Sequence, residues 1–166
     1  PASLFPMLPR PTTRIRPYAP ADREAVFRIA AQTAFFGAQV EAYLDDRRLF
    51  NEAFYRYYPD YEPENGWMAD VQAQGEAWEA VGFLMGCLDT RRQQRLWSRR
   101  ILPSTLGRAI TGRYRLGGRT LRYAWRQALA FLRGETPGCD LEIYPAHLHI
   151  NLDEGYRGLG LGKGLM

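Results

Sequence analysis

The chain ends in a glycine-rich stretch, residues 157–166, with the sequence RGLGLGKGLM. This stretch follows residues 146–152 (AHLHINL), whose alternation of polar and apolar side chains is typical of a β-strand. Glycines between a strand and a helix let the backbone approach a ligand closely, and the free N–H groups of the first helical turn attract an anion. We therefore expect this loop to hold a phosphate or pyrophosphate group.

Only one of three phosphate-binding patterns fits this loop. The dinucleotide pattern G-x-G-x-x-G fails, because a lysine or a leucine stands where its last glycine is required. The P-loop pattern fails as well, since Arg157 replaces its first glycine and Gly164 its final Ser or Thr. The pattern R/Q-x-x-G-x-G/A fits, with Arg157, Gly160 and Gly162 at its three defining positions.

The fitting pattern is the acetyl-CoA signature of the GNAT superfamily of N-acetyltransferases, which this chain resembles. Tyr156 is similar to the aromatic residue that the family often carries before the arginine, whereas Glu154 departs from its frequent proline. Residues 81–90 (VGFLMGCLDT) and 144–152 (YPAHLHINL), separated by a long basic insertion, further resemble the acetyltransferase-like C-terminal domain of O-GlcNAcase and its bacterial relatives.

The resemblance implies an α/β (α+β) fold: a mixed, mostly antiparallel sheet flanked by helices, as in GNAT acyl-CoA N-acyltransferases. It implies a single domain over 1–166, with an irregular lead-in over 1–12 and an Arg-rich insertion over 91–138. A GNAT fold continues beyond the glycine loop through further strands and a helix. We therefore expect the C-terminal part of the fold to be missing from this sequence, as in a fragment, an incomplete chain or a sheet that a second chain completes.

Hydrophobic periodicity predicts where the main elements lie. The predicted strands are 13–18, 67–72, 80–88 and 146–152, and the predicted helices are 22–33, 40–58 and 119–133. In the last helix an apolar stripe that includes Trp125 lies opposite a ridge of arginines, so we expect the stripe to pack and the ridge to be exposed. An aromatic cluster within 54–61 is interpreted as a packed helix end or, alternatively, as the wall of a substrate groove.

Composition excludes several classes of protein. With 166 residues, 46% of them hydrophobic, the chain can bury a core and is not wholly disordered. Its two cysteines exclude a disulfide scaffold and a four-cysteine zinc site. No apolar run approaches the roughly 18 residues that a membrane span needs. We expect a soluble, cytoplasmic protein with no membrane partner.

The positive charge is concentrated in one segment. Residues 91–133 contain twelve arginines and no acidic residue, whereas the rest of the chain is mildly acidic and the total net charge is +4. Such a segment usually contacts something anionic, although it can also be a solvated surface. We expect an anionic partner for residues 91–133, with nucleic acid disfavoured because Trp125 falls on the stripe predicted to be buried.

The resemblance assigns the residues that would bind acetyl-CoA as co-substrate. The pantetheine would lie along the backbone of Ile150, Asn151 and Leu152. The pyrophosphate would contact the backbone N–H groups of the glycine loop, whose residues are Arg157, Gly158, Leu159, Gly160, Leu161, Gly162 and Lys163. The Arg157 side chain is expected to brace this loop rather than to contact phosphate.

Acetyl transfer to an amine needs a base that removes a proton, and two side chains are candidates. His149 shares a strand face with His147, and histidine titrates in the useful range. Alternatively, both histidines are polar residues packed beneath a helix or the insertion; their register differs by one residue from the histidines that some family members use. Asp89 is the second candidate, or else a surface carboxylate at a strand end. A metal site is disfavoured, because no third ligand lies near the two histidines.

The sequence therefore predicts an N-acetyltransferase that moves an acetyl group from acetyl-CoA to a primary amine of a small molecule or protein. One alternative is a non-catalytic acyl-CoA-binding or interaction module. Another is a nucleic-acid-binding protein that uses the arginines and aromatic residues of the insertion. The sequence does not identify the amine, because one GNAT fold accepts many acceptors.

Overall fold

A four-stranded antiparallel sheet in the order β1-β2-β3-β4 forms the centre of the computed structural model, which describes residues 11–35, 37–135 and 138–166. The strands are β1 (Thr12–Pro17), β2 (Gly66–Gln72), β3 (Glu79–Cys87) and β4 (His147–Leu152). The helices are α1 (Arg23–Gln32), α2 (Arg47–Phe50), α3 (Tyr57–Tyr61), α4 (Thr90–Leu96), α5 (Leu102–Ile110), α6 (Gly118–Leu132) and α7 (Leu161–Leu165). No helix in these ranges is both long and apolar enough to cross a bilayer.

β3 lies between β2 and β4 because its side chains are apolar on both faces of the sheet. Phe83, Met85 and Cys87 pack in the larger core beneath α1 and α3, whereas Val81 belongs to a smaller core beneath α7. A β-bulge at Val81 causes this change of face, since the pairing with β2 shifts by one residue there. The sheet is thus covered on both sides, as predicted for a central strand.

Gly82 allows β4 to approach β3 closely at the point where the chain enters the glycine loop. A Cβ atom at this position would lie 2.6 Å from Leu152 Cδ1 and 3.0 Å from the Asn151 carbonyl oxygen. Beyond β4, the Asp153 N–H donates to the Val81 carbonyl at 2.8 Å. These contacts fix the start of the glycine loop against the centre of the sheet.

The prediction of one helix over 40–58 is wrong. A 3₁₀ turn at Val40–Ala42 is followed by α2, a π-helical segment at Asn51–Tyr55 and α3. Asp46 interrupts the helix, because its backbone is extended and its carboxylate accepts a hydrogen bond from the Arg48 N–H at 2.8 Å. A new helix therefore starts after Asp46.

The other predicted elements lie within about two residues of their predicted bounds. The irregular lead-in over 1–12 lies outside the described residues except for its last two positions, and Thr12 already begins β1. Residues 91–138, of which 136 and 137 are not described, contain most of α4, a π-helical segment at Trp97–Ile101, α5 and α6. The sheet is wholly antiparallel within the described ranges.

The basic insertion is attached to the acidic N-terminal half by ion pairs and hydrogen bonds. Arg119 pairs with Asp45 at 2.9 Å, and the Trp97 indole N–H donates to the Ala53 carbonyl at 2.6 Å. Within the described ranges, six of the twelve arginines lie within 4 Å of a carboxylate: Arg91, Arg92, Arg95, Arg108, Arg119 and Arg133. The chain's own carboxylates therefore account for part of the anionic contact that the charge pattern predicts.

The prediction that the apolar stripe of α6 is buried is wrong. Leu121 is 62% exposed, Trp125 70% and Leu132 80%. A different side of α6 faces the protein, since the Thr120 hydroxyl and the Tyr123 ring contact Asp45 and Phe35. The polar anchor at Thr120 orients the helix, and it leaves the apolar stripe in solvent.

A buried carboxylate connects β1, β2 and the start of α1. Asp70 is 1% exposed and accepts hydrogen bonds from Arg14 Nε at 2.9 Å and Arg16 Nε at 2.7 Å. Arg16 also pairs with Asp22 at 2.6 Å, and this hydrogen bond holds the pKa of the Asp22 carboxyl below its usual range. A buried carboxylate is tolerated only with such partners, so this network fixes the edge strand to the helix layer.

We expect Asp70→Asn to lower the free energy of unfolding by about 3 kcal/mol, because two guanidinium groups lose their shared anion at a buried site. Urea denaturation at pH 7 measures this change. The control is Glu76→Gln, which removes an exposed carboxylate beyond the end of β2 and is expected to change stability by less than about 0.5 kcal/mol. Equal stability of the two variants would contradict the role assigned to Asp70.

Candidate active site

The two histidines of β4 lie beneath the helices that follow α1. The strand register places His147 opposite Cys87 and His149 opposite Met85, so both rings face the larger core. The ring centroid of Tyr58 lies 5.2 Å from that of His149. Both histidines are therefore polar residues packed beneath a helix, as one of the two interpretations holds. The two histidines differ from each other in their hydrogen bonds.

His147 is held at both ring nitrogens. Its Nε2 lies 2.9 Å from the Tyr58 hydroxyl, and its Nδ1 lies 2.7 Å from Thr90 Oγ1. Burial lowers the pKa of His147, and the negative charge of Glu62 offsets part of that effect. With both nitrogens engaged, His147 is suited to positioning its neighbours rather than to accepting a further proton.

His149 makes no hydrogen bond to any described residue, and it contacts the rings of Tyr55 and Tyr58. Burial lowers its pKa from the ordinary value of 6.5, and the nearby His147 lowers it further. The imidazole is therefore neutral at pH 7, with one nitrogen carrying a free lone pair. This is the protonation state that a general base needs.

A cleft of about 320 Å³ opens beside His149. It is lined by Ala53, Phe54, Tyr58, Gln93, Gln94, Trp97, His147 and His149. Its walls thus come from the π-helical segment at Asn51–Tyr55, α3, α4 with the π-helical segment that follows it, and β4. The aromatic cluster at 54–61 is both a packed helix end, through Tyr57 and Tyr58, and the wall of a groove, through Phe54.

Glu62 is a buried carboxylate behind the cleft, 2% exposed. Burial by itself raises its pKa, but hydrogen bonds from the Tyr57 hydroxyl at 2.5 Å and the Leu88 N–H at 3.0 Å, with Arg92 at 3.2 Å, lower the pKa overall. Glu62 therefore stays ionised and joins the end of β3 to α4. Nothing in the sequence around Glu62 distinguishes it from an ordinary surface acid.

Asp89 does not line the cleft with the histidines. Its carboxylate accepts a hydrogen bond from the Arg92 N–H at 2.9 Å and caps the N-terminus of α4. This arrangement corresponds to the alternative of a carboxylate at a strand end. The structure instead brings Thr90, Trp97 and Gln93 to the histidines, three residues that the sequence analysis did not assign to the site.

The side chain of Asn151 forms hydrogen bonds within the protein. Its Nδ2 donates to Thr33 Oγ1 at 2.7 Å, and its Oδ1 lies 3.4 Å from the Tyr55 hydroxyl. Burial raises the pKa of Tyr55 to about 12, so this hydroxyl keeps its proton. β4 pairs with β3 on one side only, and no described strand lies on its other side, so that edge of β4 is open to a ligand.

The glycine loop has an open backbone. Gly158 and Gly160 adopt φ angles of +85° and +82°, which disfavour other residues, and nothing lies within 4 Å of a Cβ placed at Gly158, Gly160 or Gly162. No backbone acceptor among the described residues is paired with the N–H groups of 158–163. Open N–H groups with free space around them fit an anionic group such as a pyrophosphate. The Arg157 side chain extends toward Gly37, and its Nη2 atom lies 3.4 Å from a Cβ atom placed at Gly37.

The loop is anchored by the short helix that follows it. Leu161 and Leu165 of α7 are buried against the face of the sheet opposite the histidines, in contact with the smaller core. The described residues contain no group of three His, Cys, Asp or Glu side chains arranged to hold a metal ion. The two candidate features are therefore a neutral histidine cleft on one face and an open backbone loop where β4 ends.

No protein-family model matches this chain, and no curated protein does either. Five chains of solved structures match. One is the crystal structure of SsHAT, which aligns with a TM-score of 0.65 and 32% sequence identity over 93% of this chain and 73% of SsHAT. The similarity extends over nearly all the elements described above.

We expect both imidazoles to titrate below 6.5 when their ring proton resonances are followed by NMR, because burial lowers the pKa of each. Since the folded state then resists protonation more than the unfolded chain does, the histidine contribution to stability is lost as the pH falls below 6.5. His149→Gln should reduce this loss between pH 7 and pH 5.5. An imidazole of His149 that titrates at or above 6.5 would contradict the buried, neutral arrangement.

Proposed function

We propose that this chain, which belongs to the acetyltransferase-like fold family that includes SsHAT, transfers an acetyl group from acetyl-CoA to a primary amine. The observation that carries the proposal is the pairing of a free, neutral His149 with an open glycine loop at the end of the same strand. The resemblance of 81–90 and 144–152 to the C-terminal domain of O-GlcNAcase supports it. A cytoplasmic location is part of the proposal, because acetyl-CoA is used inside cells.

The residues that would hold acetyl-CoA are those with open backbone groups. The N–H groups of 158–163 would bind the pyrophosphate. Of Ile150, Asn151 and Leu152, the backbone of Ile150 and Leu152 would bind the pantetheine, because the Asn151 carbonyl faces β3 beside Gly82. Lys163, in the first turn of α7, adds a positive charge near the phosphates. When bound, acetyl-CoA supplies a thioester whose carbonyl carbon bonds to the amine nitrogen as its bond to sulfur breaks.

His149 would accept the proton that the amine loses in this step. Its neutral imidazole has a free lone pair, and its ring is oriented by contact with Tyr55 and Tyr58. His147, fixed by Tyr58 and Thr90, would position this face of β4. The departing thiolate takes up one proton, so the products are an amide and the free thiol with no net change in protons.

Gly160→Asp tests acetyl-CoA binding, because it places a carboxylate in the open space at the loop where the pyrophosphate would bind. We expect the dissociation constant of acetyl-CoA, measured by calorimetric titration, to rise at least tenfold, or about 1.4 kcal/mol. Gly112→Asp is the matched control, since Gly112 has a φ of +71° and equally open surroundings on the loop between α5 and α6. Equal binding by both variants would contradict the assignment of the loop.

His149→Gln in the same series separates binding from catalysis. We expect this variant to bind acetyl-CoA as the wild type does, while the release of free thiol in the presence of an amine falls about 100-fold. Retained thiol release would show that His149 is not the base. Binding without any amine-dependent thiol release by the wild type would favour the alternative of a non-catalytic acyl-CoA-binding module.

A second candidate function is the binding of an acidic protein partner to α6. The exposed stripe of Leu121, Trp125 and Leu132 shares α6 with Arg122 and Arg126, neither of which has a carboxylate within 4 Å among the described residues. The exposure of Trp125 removes the argument that disfavoured nucleic acid. The leucines of the stripe nevertheless favour an amphipathic acidic helix, because nucleic acid binding uses aromatic stacking and positive charge and has no need of exposed aliphatic side chains.

An amphipathic helical peptide of Leu and Glu is the probe for this surface. We expect the double variant Arg122→Glu/Arg126→Glu to weaken its binding at least tenfold, as measured by fluorescence anisotropy of the labelled peptide. Arg99→Glu/Arg100→Glu is the matched control, because these arginines are exposed, have no carboxylate within 4 Å in the part of the chain that the structure describes, and are far from the stripe in sequence. Tighter binding of a single-stranded oligonucleotide, with a steep salt dependence, would contradict the protein partner.

A further inference from the structure

The cleft beside His149 contains no charged side chain in its lining, which consists of aromatic rings, two glutamine amides, two imidazoles and an alanine. From this composition we infer that the acceptor is a small amine carried on a single flat, uncharged ring, such as an arylamine. The inference rests on the proposed acetyl transfer, and it names the class of acceptor.

Two carboxylates near the start of α4 already have partners within the protein. Glu62 is a buried acid whose negative charge acts on His147. Its carboxylate already accepts hydrogen bonds from Tyr57, Leu88 and Arg92. Asp89 is engaged by the start of α4. A polycationic acceptor such as a polyamine would therefore find no partner for its charges in this cleft.

The two histidines also favour an uncharged amine over a charged one. Burial lowers the pKa of both imidazoles, so the cleft disfavours positive charge on its own side chains. An ammonium group that entered would lose its hydration without gaining an ion pair, which is costly. A weakly basic amine is already neutral at pH 7 and enters without this cost, ready to lose its proton to His149 during transfer.

The aromatic walls suit a flat ring. The Trp97 indole is fixed by its hydrogen bond to the Ala53 carbonyl at 2.6 Å, and Phe54 is partly exposed on the facing segment. Rigid rings of this kind stack on planar ligands with little loss of conformational freedom. A volume of about 320 Å³ lies at the small end for ligand sites, so it accommodates one ring rather than a folded peptide.

The glutamines supply the polar contacts that an uncharged ring can use. Gln93 and Gln94 lie in the first turns of α4, where the hydrogen bond from the Gln93 N–H to the Asp89 carbonyl at 2.9 Å fixes the backbone. Their amides can donate to and accept from a ring substituent without adding charge. Selection would thus act on shape and hydrogen bonding.

Binding of two probe amines tests the inference without acetyl-CoA. We expect 4-methylaniline to shift the imidazole proton resonances of His147 and His149 saturably, with a dissociation constant at least tenfold lower than that of spermidine. Equal or tighter binding of spermidine, or no shift with either probe, would overturn the inference. Calorimetry with acetyl-CoA on the same sample reports the proposed function separately, because its failure leaves the amine binding in place.

Gln93→Glu introduces a negative charge into the cleft, and the inference predicts that this charge changes which amine binds more tightly. A carboxylate in the lining should lower the preference for 4-methylaniline over spermidine about tenfold, by offering the ammonium a partner. Gln74→Glu is the matched control, since it makes the same change on an exposed loop outside this cleft and is expected to leave the preference unchanged. An unchanged preference in Gln93→Glu would contradict the role of charge in this cleft.

Discussion

The pair of hydrogen bonds at His147 is the constraint on which the rest of the site depends. Through Tyr58 and Thr90 it joins α3, the start of α4 and β4, three segments that are far apart in the chain. A strand that slipped by one residue would turn every side chain to the other face of the sheet. These bonds prevent such a slip, and they thereby keep His149 in the cleft and Asn151 against Thr33.

The sheet could be predicted from the sequence because its strands follow simple burial rules. β4 alternates with period two, and β3 is an unbroken apolar run, so both were recognisable locally. The helix break at Asp46 was not recognisable, since the Asp46 carboxylate also accepts from the Arg115 N–H at 2.9 Å, a partner 69 residues away. Periodicity likewise identified α6 as amphipathic but carried no information on which side the fold would cover.

The candidate site was predictable in part. The glycine loop has a pattern that depends on backbone geometry, and glycines with positive φ occur at two of its positions. The difference between His147 and His149 was not predictable, because it results from the hydrogen bonds that the Tyr58 and Thr90 hydroxyls make with His147 in the folded chain. The uncharged lining of the cleft was not predictable either, because Gln93 and Gln94 lie among arginines in the sequence.

The two π-helical segments give the cleft an unusual dependence on chain length. A π-helical turn contains one more residue than an α-helical turn, and such turns are often found at functional sites. Phe54 and Trp97 each lie in one of these segments, and the Trp97 indole uses the Ala53 carbonyl in the other. The loss of one residue from either segment would restore a regular helix and rotate an aromatic wall away. Length changes there would alter the shape of the cleft while the sheet and the glycine loop stay in place.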